Sequence, residues 1–401
     1  MRTNRVIVLT VLTAGLLLGA CRPANITQTA APTSLAEPAQ TATEAQTPED
    51  GSASTPTANI PEEPTAAPAP TETQPSEPPH RFAGLVFTNA DGLWLVGRDG
   101  SAELIIDQQQ AVISPDGRYV AYVYSPPDGS QEDLYLLDRQ TGEQRNLTDT
   151  PDRNEFSPQF WAARPDALLF ESKPVAAEIF GSGYPTIIQL DGSGYQVLDE
   201  EAGGPIAPAP DGRTLAFGCC DAPAVLYYPE TGNQSFFPES YGIPAEKMFL
   251  PAFSPDGKQL AWIVGGQAFG AEGYGLGVAL FDLANKTGRM LYTYSPQGGT
   301  EFVGNLAWSP DGQYLAYMNI NDPSGQGRAP SLHVLAPQSD ESVNLGIGHS
   351  PVWKPDGSDL AFTVTPQDIQ DQRIIVAPTG NWFEMLETPY SGESVGWIAV
   401  R

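Results

Sequence analysis

The sequence predicts an all-β protein whose main domain is a seven-bladed β-propeller, and three observations lead to this prediction. A Pro-Asp-Gly phrase recurs within residues 81–401, an alternating β pattern follows each copy, and the two ends of this region read as complementary parts of one sheet. A catalytic motif is normally written once, because one site needs it once. A motif that occurs five times indicates a repeated structural unit instead.

The recurring phrase has the composition of a tight turn between two strands. Its full copies are VISPDGRYVAY, APAPDGRTLAF, AFSPDGKQLAW, AWSPDGQYLAY and VWKPDGSDLAF, and FWAARPDALLF is a degraded sixth. Serine suits the first turn position, proline presets φ at the second, aspartate suits the third, and glycine then accepts a positive φ. Each phrase therefore predicts a β-hairpin, with its aspartate as a turn former rather than a catalytic residue.

A second hairpin follows each phrase, so the repeating unit is one four-stranded sheet. The Pro-Asp pairs recur every 45 to 55 residues, and a four-stranded repeat of about 40–45 residues is typical of a propeller blade. In such a blade, the turns between strands one and two and between strands three and four lie on one face. The longer connections between strands two and three are then expected on the opposite face.

The two ends of the repeat region set the blade count at seven. Residues 84–106 read as the second, third and fourth strands of a blade that lacks its first. The tail ESVGWIAVR reads as that first strand, because Trp397 follows Trp353 by 44 residues. Joining the two segments closes the blade with strands from both termini and removes two exposed sheet edges. A six-bladed propeller with loose ends is the alternative.

These phrases resemble the Pro-Asp-Gly repeats of the TolB family, a WD-like class that is also found in the non-catalytic propellers of prolyl-oligopeptidase-type enzymes. The resemblance covers residues 82–401 and departs from the pattern in the degraded copy, where Ala167 replaces glycine and Trp161 is shifted. It implies the propeller fold. The role of TolB itself does not carry over, because TolB is usually six-bladed with an additional N-terminal domain.

Residues 1–20 are predicted to be a lipoprotein signal peptide. Arg2 and Arg5 precede an apolar run at residues 6–18, which is too short for a membrane-spanning helix but fits a signal-peptide core. The Leu-Gly-Ala-Cys at residues 18–21 resembles a bacterial lipobox, which implies that Cys21 is lipidated. The sequence thus predicts an extracytoplasmic protein, lipid-anchored to the bacterial cell envelope. An ordinary signal peptide with an incidental cysteine is the alternative.

Residues 21–80 are rich in Pro, Thr, Ala and Glu and lack Phe, Trp and Tyr. Such a segment cannot bury enough apolar surface to offset its ordering entropy, so it is predicted to be a disordered linker. The chain as a whole carries 48 acidic and 20 basic residues, for a formal charge of −28. This field repels phosphate backbones, so nucleic acid is excluded as a partner.

No catalytic set, metal site or cofactor is predicted, and an enzymatic role is not favoured. Residues 348–352, GHSPV, come closest to the G-x-S-x-G nucleophile motif but lack the final glycine and precede a strand rather than a helix. The three histidines are His80, in the linker, and His333 and His349. A three-histidine metal site is therefore impossible without the linker.

Cys219 and Cys220 are adjacent in the sequence. With Cys21 lipidated, in an oxidising compartment they can pair only with each other or with another chain. A strained vicinal disulfide and a reduced buried pair at the end of a strand both fit, and the sequence leaves the two alternatives open.

The long connections on one face are predicted to bind a partner, because binding residues concentrate on loops held by a rigid scaffold. Two connections place aromatic rings among glycines, which suits recognition, unless the rings only pin the loops onto the blades. The candidate residues are Phe180, Tyr184, Phe269, Glu272, Tyr274, Asp322 and Arg328. The predicted function is a binding or scaffolding module for an unknown protein, peptide or glycan. The alternative is a propeller hydrolase or lyase acting on extracellular glycans or peptides.

Overall fold

Seven antiparallel sheets of four strands each form the blades in the computed structural model. It describes residues 79–127, 129–176, 183–219, 223–229, 231–269, 275–294, 300–322, 329–365 and 372–399. Blade 1 contains β1 (Leu85–Asn89), β2 (Gly92–Val96) and β3 (Ala102–Ile106). Blade 2 contains β4 (Ala111–Ile113), β5 (Tyr119–Tyr124), β6 (Asp133–Asp138) and β7 (Gln144–Asn146). Blade 3 contains β8 (Arg153–Phe160), β9 (Ala167–Pro174), β10 (Tyr184–Gln189) and β11 (Gln196–Val197).

The remaining blades repeat this order. Blade 4 contains β12 (Ala207–Pro208), β13 (Leu215–Phe217), β14 (Val225–Tyr228) and β15 (Gly232–Ser235). Blade 5 contains β16 (Lys247–Phe253), β17 (Gln259–Gly266), β18 (Gly275–Asp282) and β19 (Thr287–Tyr294). Blade 6 contains β20 (Thr300–Trp308), β21 (Leu315–Asp322), β22 (Ser331–Ala336) and β23 (Glu341–Ile347). Blade 7 contains β24 (His349–Trp353), β25 (Asp359–Val364), β26 (Arg373–Pro378) and β27 (Leu386–Ser391), and β28 (Glu393–Trp397) completes blade 1. Short 3-10 helices lie at Pro238–Tyr241 and Gln267–Phe269.

The ring closes at blade 1, where the C-terminal strand β28 lies innermost beside β1. Leu85 is the register partner of Trp397. The indole N–H of Trp397 donates to the Ala83 carbonyl at 2.9 Å, and the Lys354 ammonium of blade 7 lies 5.4 Å from the Trp397 ring centroid. The prediction of seven blades closed by both termini is confirmed, and the six-bladed alternative is excluded.

Serine–aspartate pairs stabilise the repeated turns between the first two strands of a blade. The Ser114 hydroxyl donates to Asp116 at 2.6 Å and accepts the Tyr119 N–H at 2.8 Å. Gly117 follows with a φ of 76°, which glycine adopts without strain. The hydrogen bond from Ser114 is the largest cause that lowers the pKa of Asp116. The same pair recurs as Ser254–Asp256 and Ser309–Asp311. These aspartates form turns, as the sequence predicts.

Apolar side chains form seven clusters, and each cluster joins two neighbouring blades. The second strand of a blade is buried on both faces. In β21, Leu315 and Tyr317 pack with blade 5, whereas Ala316 packs with blade 7. Alternation along such a strand therefore decides which neighbouring blade a side chain meets. The closed series of interfaces holds the innermost strands around a common axis.

Candidate functional site in the central channel

The innermost strands of all seven blades surround a central channel of about 650 Å³. Five of them, β8, β16, β20, β24 and β28, have a β-bulge in which one extra residue stands against the neighbouring strand, and in the first four the extra segment contains a residue with positive φ. The bulge residues Ser157, Leu250, Asn305 and Ser350 have φ values of 54°, 49°, 53° and 51° and all line the channel. Such backbone strain in non-glycine residues clusters at functional sites. The bulges therefore mark the channel as the candidate site.

Glu171 of β9 is a buried carboxyl that lines the channel, with 2% of its surface exposed. The Gly183 N–H donates to its Oε2 at 3.0 Å, and Ser157 also hydrogen-bonds its side chain. Burial outweighs these two bonds and raises the pKa of the Glu171 carboxyl to about 7. A carboxyl in a cavity that titrates near neutral pH is a functional-site candidate on physical grounds.

A second polar group lines the channel between blades 7 and 1. The Ser350 hydroxyl donates to Glu393 Oε1 at 2.6 Å and lies 3.0 Å from His349 Nδ1. His349 Nε2 lies 2.8 Å from the Thr365 hydroxyl. Burial lowers the pKa of His349 to about 4, so its ring is neutral at pH 7. Because the Ser350 proton goes to Glu393, His349 Nδ1–H donates to Ser350 and Nε2 accepts from Thr365. The four side chains thus form one directed hydrogen-bond chain.

A third buried polar network lies at the interface between blades 2 and 3. Glu155 is 0% exposed, and its Oε1 accepts hydrogen bonds from Thr150 at 2.9 Å and Tyr195 at 3.0 Å. Arg153 Nε donates to Ser172 at 2.6 Å. Burial raises the pKa of Glu155, and it raises that of Tyr195 to about 12. None of these five residues lines the channel. The network therefore has a structural role at the interface between blades 2 and 3.

Three of the predicted binding residues, Tyr184, Phe269 and Asp322, belong to the described part of the chain. Tyr184 begins β10, and the Arg153 guanidinium lies 5.8 Å from its ring centroid. Phe269 is 8% exposed and packs in the cluster between blades 4 and 5, so its ring pins the connection. Asp322 ends β21, opposite Thr300. Phe180, Glu272, Tyr274, Arg328 and Cys21 lie outside the described residues.

Cys219 is disulfide-bonded and 9% exposed. Cys220 lies outside the described residues, so the vicinal pairing stays a prediction. Cys219 packs against Gly204, where a Cβ atom would come within 2.6 Å of the Cys219 Cβ. Gly204 also has a φ of 113°, so this position requires glycine for both space and backbone conformation.

Sequence reasoning missed Glu171 and Glu393 and treated Ser350 only as part of an incomplete motif. One signal was available: each bulge residue stands three positions before the aromatic residue that ends its inner strand. These aromatic residues are Phe160, Phe253, Trp308 and Trp353. Aligning the blades on them would have placed the four channel residues at one level.

Two further features are absent from the described ranges. No helix there is long and apolar enough to cross a membrane. No group of three or more His, Cys, Asp or Glu side chains in the same ranges is arranged to hold a metal ion.

Known proteins resemble this chain locally in sequence or in fold, although no family model matches it. The Tol-Pal system protein TolB of Alcanivorax borkumensis is 40% identical over 68 residues, which are 16% of this chain and 15% of that protein. The match therefore spans less than a sixth of the relative's length.

Solved structures of similar architecture have low sequence identity. An oligogalacturonate lyase in complex with manganese has a TM-score of 0.50 and 16% identity, covering 71% of this chain and 76% of its own. TolB from Acinetobacter baumannii has a TM-score of 0.45 and 15% identity, covering 78% and 81%. At these identities the likeness concerns the fold alone. With its Pro-Asp-Gly turns, its local similarity to a TolB sequence and its closed ring, the chain is a TolB-like seven-bladed β-propeller.

Proposed function

We propose that this protein is a lipid-anchored, extracytoplasmic propeller that binds a segment of a partner protein or peptide in its central channel. The observation that carries the proposal is the channel wall itself, which consists of innermost strands from all seven blades, four of which have a bulge residue with positive φ. The local similarity to a Tol-Pal system protein supports a protein partner over a glycan.

The channel suits an extended chain. The innermost strand stands at one end of the strand order in every blade, so one of its edges has no neighbour within the blade. Backbone N–H and C=O groups on such an edge are available to a ligand. The amide side chains of Gln110 and Asn305 add further hydrogen-bonding groups. A rigid wall of this kind loses little conformational entropy on binding.

Site-specific photo-cross-linking in intact cells tests the binding role. A benzophenone amino acid replaces Gln110, which lines the channel, or Leu104, which is 41% exposed on the outermost strand of blade 1. We expect one discrete cross-linked protein from position 110 and none from position 104. Equal products from both positions, or none from position 110, would contradict the binding role.

The anchor has its own test, because it depends on Cys21 alone. In Cys21→Ser the acceptor of the lipid is absent, so the protein should leave the membrane fraction and appear soluble outside the cytoplasm. Retention of Cys21→Ser in the membrane fraction would refute the lipid anchor and leave the channel proposal unaffected.

The second candidate function is a hydrolase acting on extracellular peptides, and the hydrogen bond between Ser350 and Glu393 favours it. In that reaction Glu393 would accept the Ser350 proton while Oγ attacks a peptide carbonyl carbon. A biotinylated fluorophosphonate tests this candidate. Labelling that Ser350→Ala abolishes would favour the hydrolase, and an unlabelled wild-type protein would exclude a reactive serine at this position.

A further inference from the structure

The described part of the channel wall has an uneven distribution of charge. Among the described residues that line the channel, Glu171 and Glu393 are carboxyl groups, and none is a lysine, arginine or histidine. A narrow space lined by one sign of charge concentrates ligands of the opposite sign. The wall therefore disfavours an anionic occupant such as a polyuronate, and favours a cationic one.

The connections between the second and third strands of the blades also contain more acidic than basic residues, and this excess is visible in the sequence alone. Across the seven blades they contain one basic residue, Arg328. Their acidic residues are Asp91, Asp128, Glu132, Glu178, Asp221, Glu272, Asp368 and Asp371. By sequence, these connections are therefore mostly acidic, with the same sign of charge as the channel wall.

Glu171 is a channel carboxyl whose neighbours on the adjacent strands and whose hydrogen-bond partners carry no charge. Phe156 and Pro185 face it from β8 and β10, and Ser157 and the Gly183 N–H are the groups that hydrogen-bond it. None of these four is charged. Lys173, two residues further along β9, is not among the groups that act on the Glu171 carboxyl.

We propose that the occupant of the channel presents a positively charged group of a polypeptide, a lysine side chain in the first instance, which pairs with the Glu171 carboxylate. This inference rests on the proposed binding function and deepens it by naming the chemistry of the partner segment. A buried carboxylate pays for its desolvation, and an ammonium that forms a charge-assisted hydrogen bond offsets that cost.

Proton release follows from this pairing. At pH 7 the Glu171 carboxyl of the free protein is about half protonated, because its pKa is about 7. A bound ammonium stabilises the carboxylate, so binding should release up to about half a proton per peptide at that pH. A neutral peptide of the same shape releases none.

Isothermal titration calorimetry on the full-length protein tests the proposal at pH 7, in two buffers of different ionisation enthalpy. The probes are the blocked tripeptides acetyl-Ala-Lys-Ala-amide and acetyl-Ala-Lys(acetyl)-Ala-amide, which differ in one charge. We expect the lysine peptide to bind at least tenfold more tightly and to release the proton. Glu171→Gln should lose both effects, whereas Glu341→Gln, which removes an exposed carboxylate on β23, should keep them.

Equal affinities for the two peptides, or wild-type behaviour of Glu171→Gln, would overturn the inference. The cross-linking result at position 110 is independent of this charge preference, so the binding role can stand when the inference fails. If Glu171→Gln does not fold, the wild-type protein still decides. Its affinity for the lysine peptide should rise as pH increases through about 7, with no such rise for the acetylated peptide.

Discussion

Replacing Glu171 by glutamine should make the fold more stable at neutral pH, even though the residue lies in the candidate site. The ordinary pKa of 4.5 becomes about 7 in the folded protein because burial disfavours the carboxylate. The folded state thus holds its proton more tightly than the unfolded chain does. As pH rises from about 4.5 to 7, the unfolded chain ionises first and the free energy of unfolding falls.

The magnitude follows from the same shift. A displacement of roughly 2.5 pKa units, at about 1.4 kcal/mol per unit, costs about 3 kcal/mol above pH 7. Glutamine carries no charge at any pH, and its side-chain oxygen can still accept the Gly183 N–H. The free energy of unfolding of Glu171→Gln minus that of wild type should therefore increase by about 3 kcal/mol between pH 4 and pH 8.

Urea unfolding followed by tryptophan fluorescence at several pH values measures this difference. Glu341→Gln removes an exposed carboxylate on β23, so its difference from wild type should stay flat over the same range. A Glu171→Gln difference that changes by less than about 1 kcal/mol between pH 4 and pH 8 would refute the reasoning.

Three further changes test the closure, the turns and the second channel group, all by urea unfolding. Trp397→Ala should lower the free energy of unfolding by about 3–5 kcal/mol because it leaves a cavity in the closing strand, and Trp397→Phe should cost about 1 kcal/mol through its lost hydrogen bond. Ser309→Ala removes the buried acceptor of the Tyr314 N–H and should cost about 1–2 kcal/mol, whereas the exposed Ser339→Ala should change little. As pH falls from 6.5 to 4, the free energy of unfolding of wild type should decrease by about 3 kcal/mol relative to that of His349→Asn, because the histidine of the unfolded chain takes up its proton first.

The blade architecture was predictable because each repeat contains its own turn and strand signals. Trp161, which is shifted by one residue in the degraded repeat, shows that a departure from the local pattern also has a structural meaning. Trp308 donates its indole N–H to Ala252 of the preceding blade, but Trp161 donates to Ala209 of the following blade. A displacement of one residue moves a side chain to the other face of a strand. The irregularity in the sequence therefore has a structural counterpart, a tryptophan that serves the opposite interface.

The channel group was not predictable from local patterns because its members come from distant parts of the chain. Glu393 belongs to the closing strand, and Ser350 belongs to blade 7. Their hydrogen bond exists only because ring closure places β28 beside β24. Phe269 shows a different limit: the sequence left open whether its ring recognises a ligand or pins its connection onto the blades, and the burial of the ring between blades 4 and 5 shows that it pins the connection.

Glu171 and His349 perturb stability in opposite directions. Above about pH 4.5 the buried carboxyl increasingly destabilises the fold, and below about pH 6.5 the buried imidazole does the same. Each effect amounts to about 3 kcal/mol, so their sum should vary little between pH 4 and pH 8. The contribution of this pair to the free energy of unfolding of wild type should thus be nearly independent of pH. In Glu171→Gln or His349→Asn only one of the two opposing effects remains, so the free energy of unfolding should change with pH. At neutral pH the uncharged imidazole does not lower the free energy of unfolding, so the cost of about 3 kcal/mol comes from Glu171. That cost is what a cation docked in the channel would offset, because pairing stabilises the ionised carboxylate that burial disfavours.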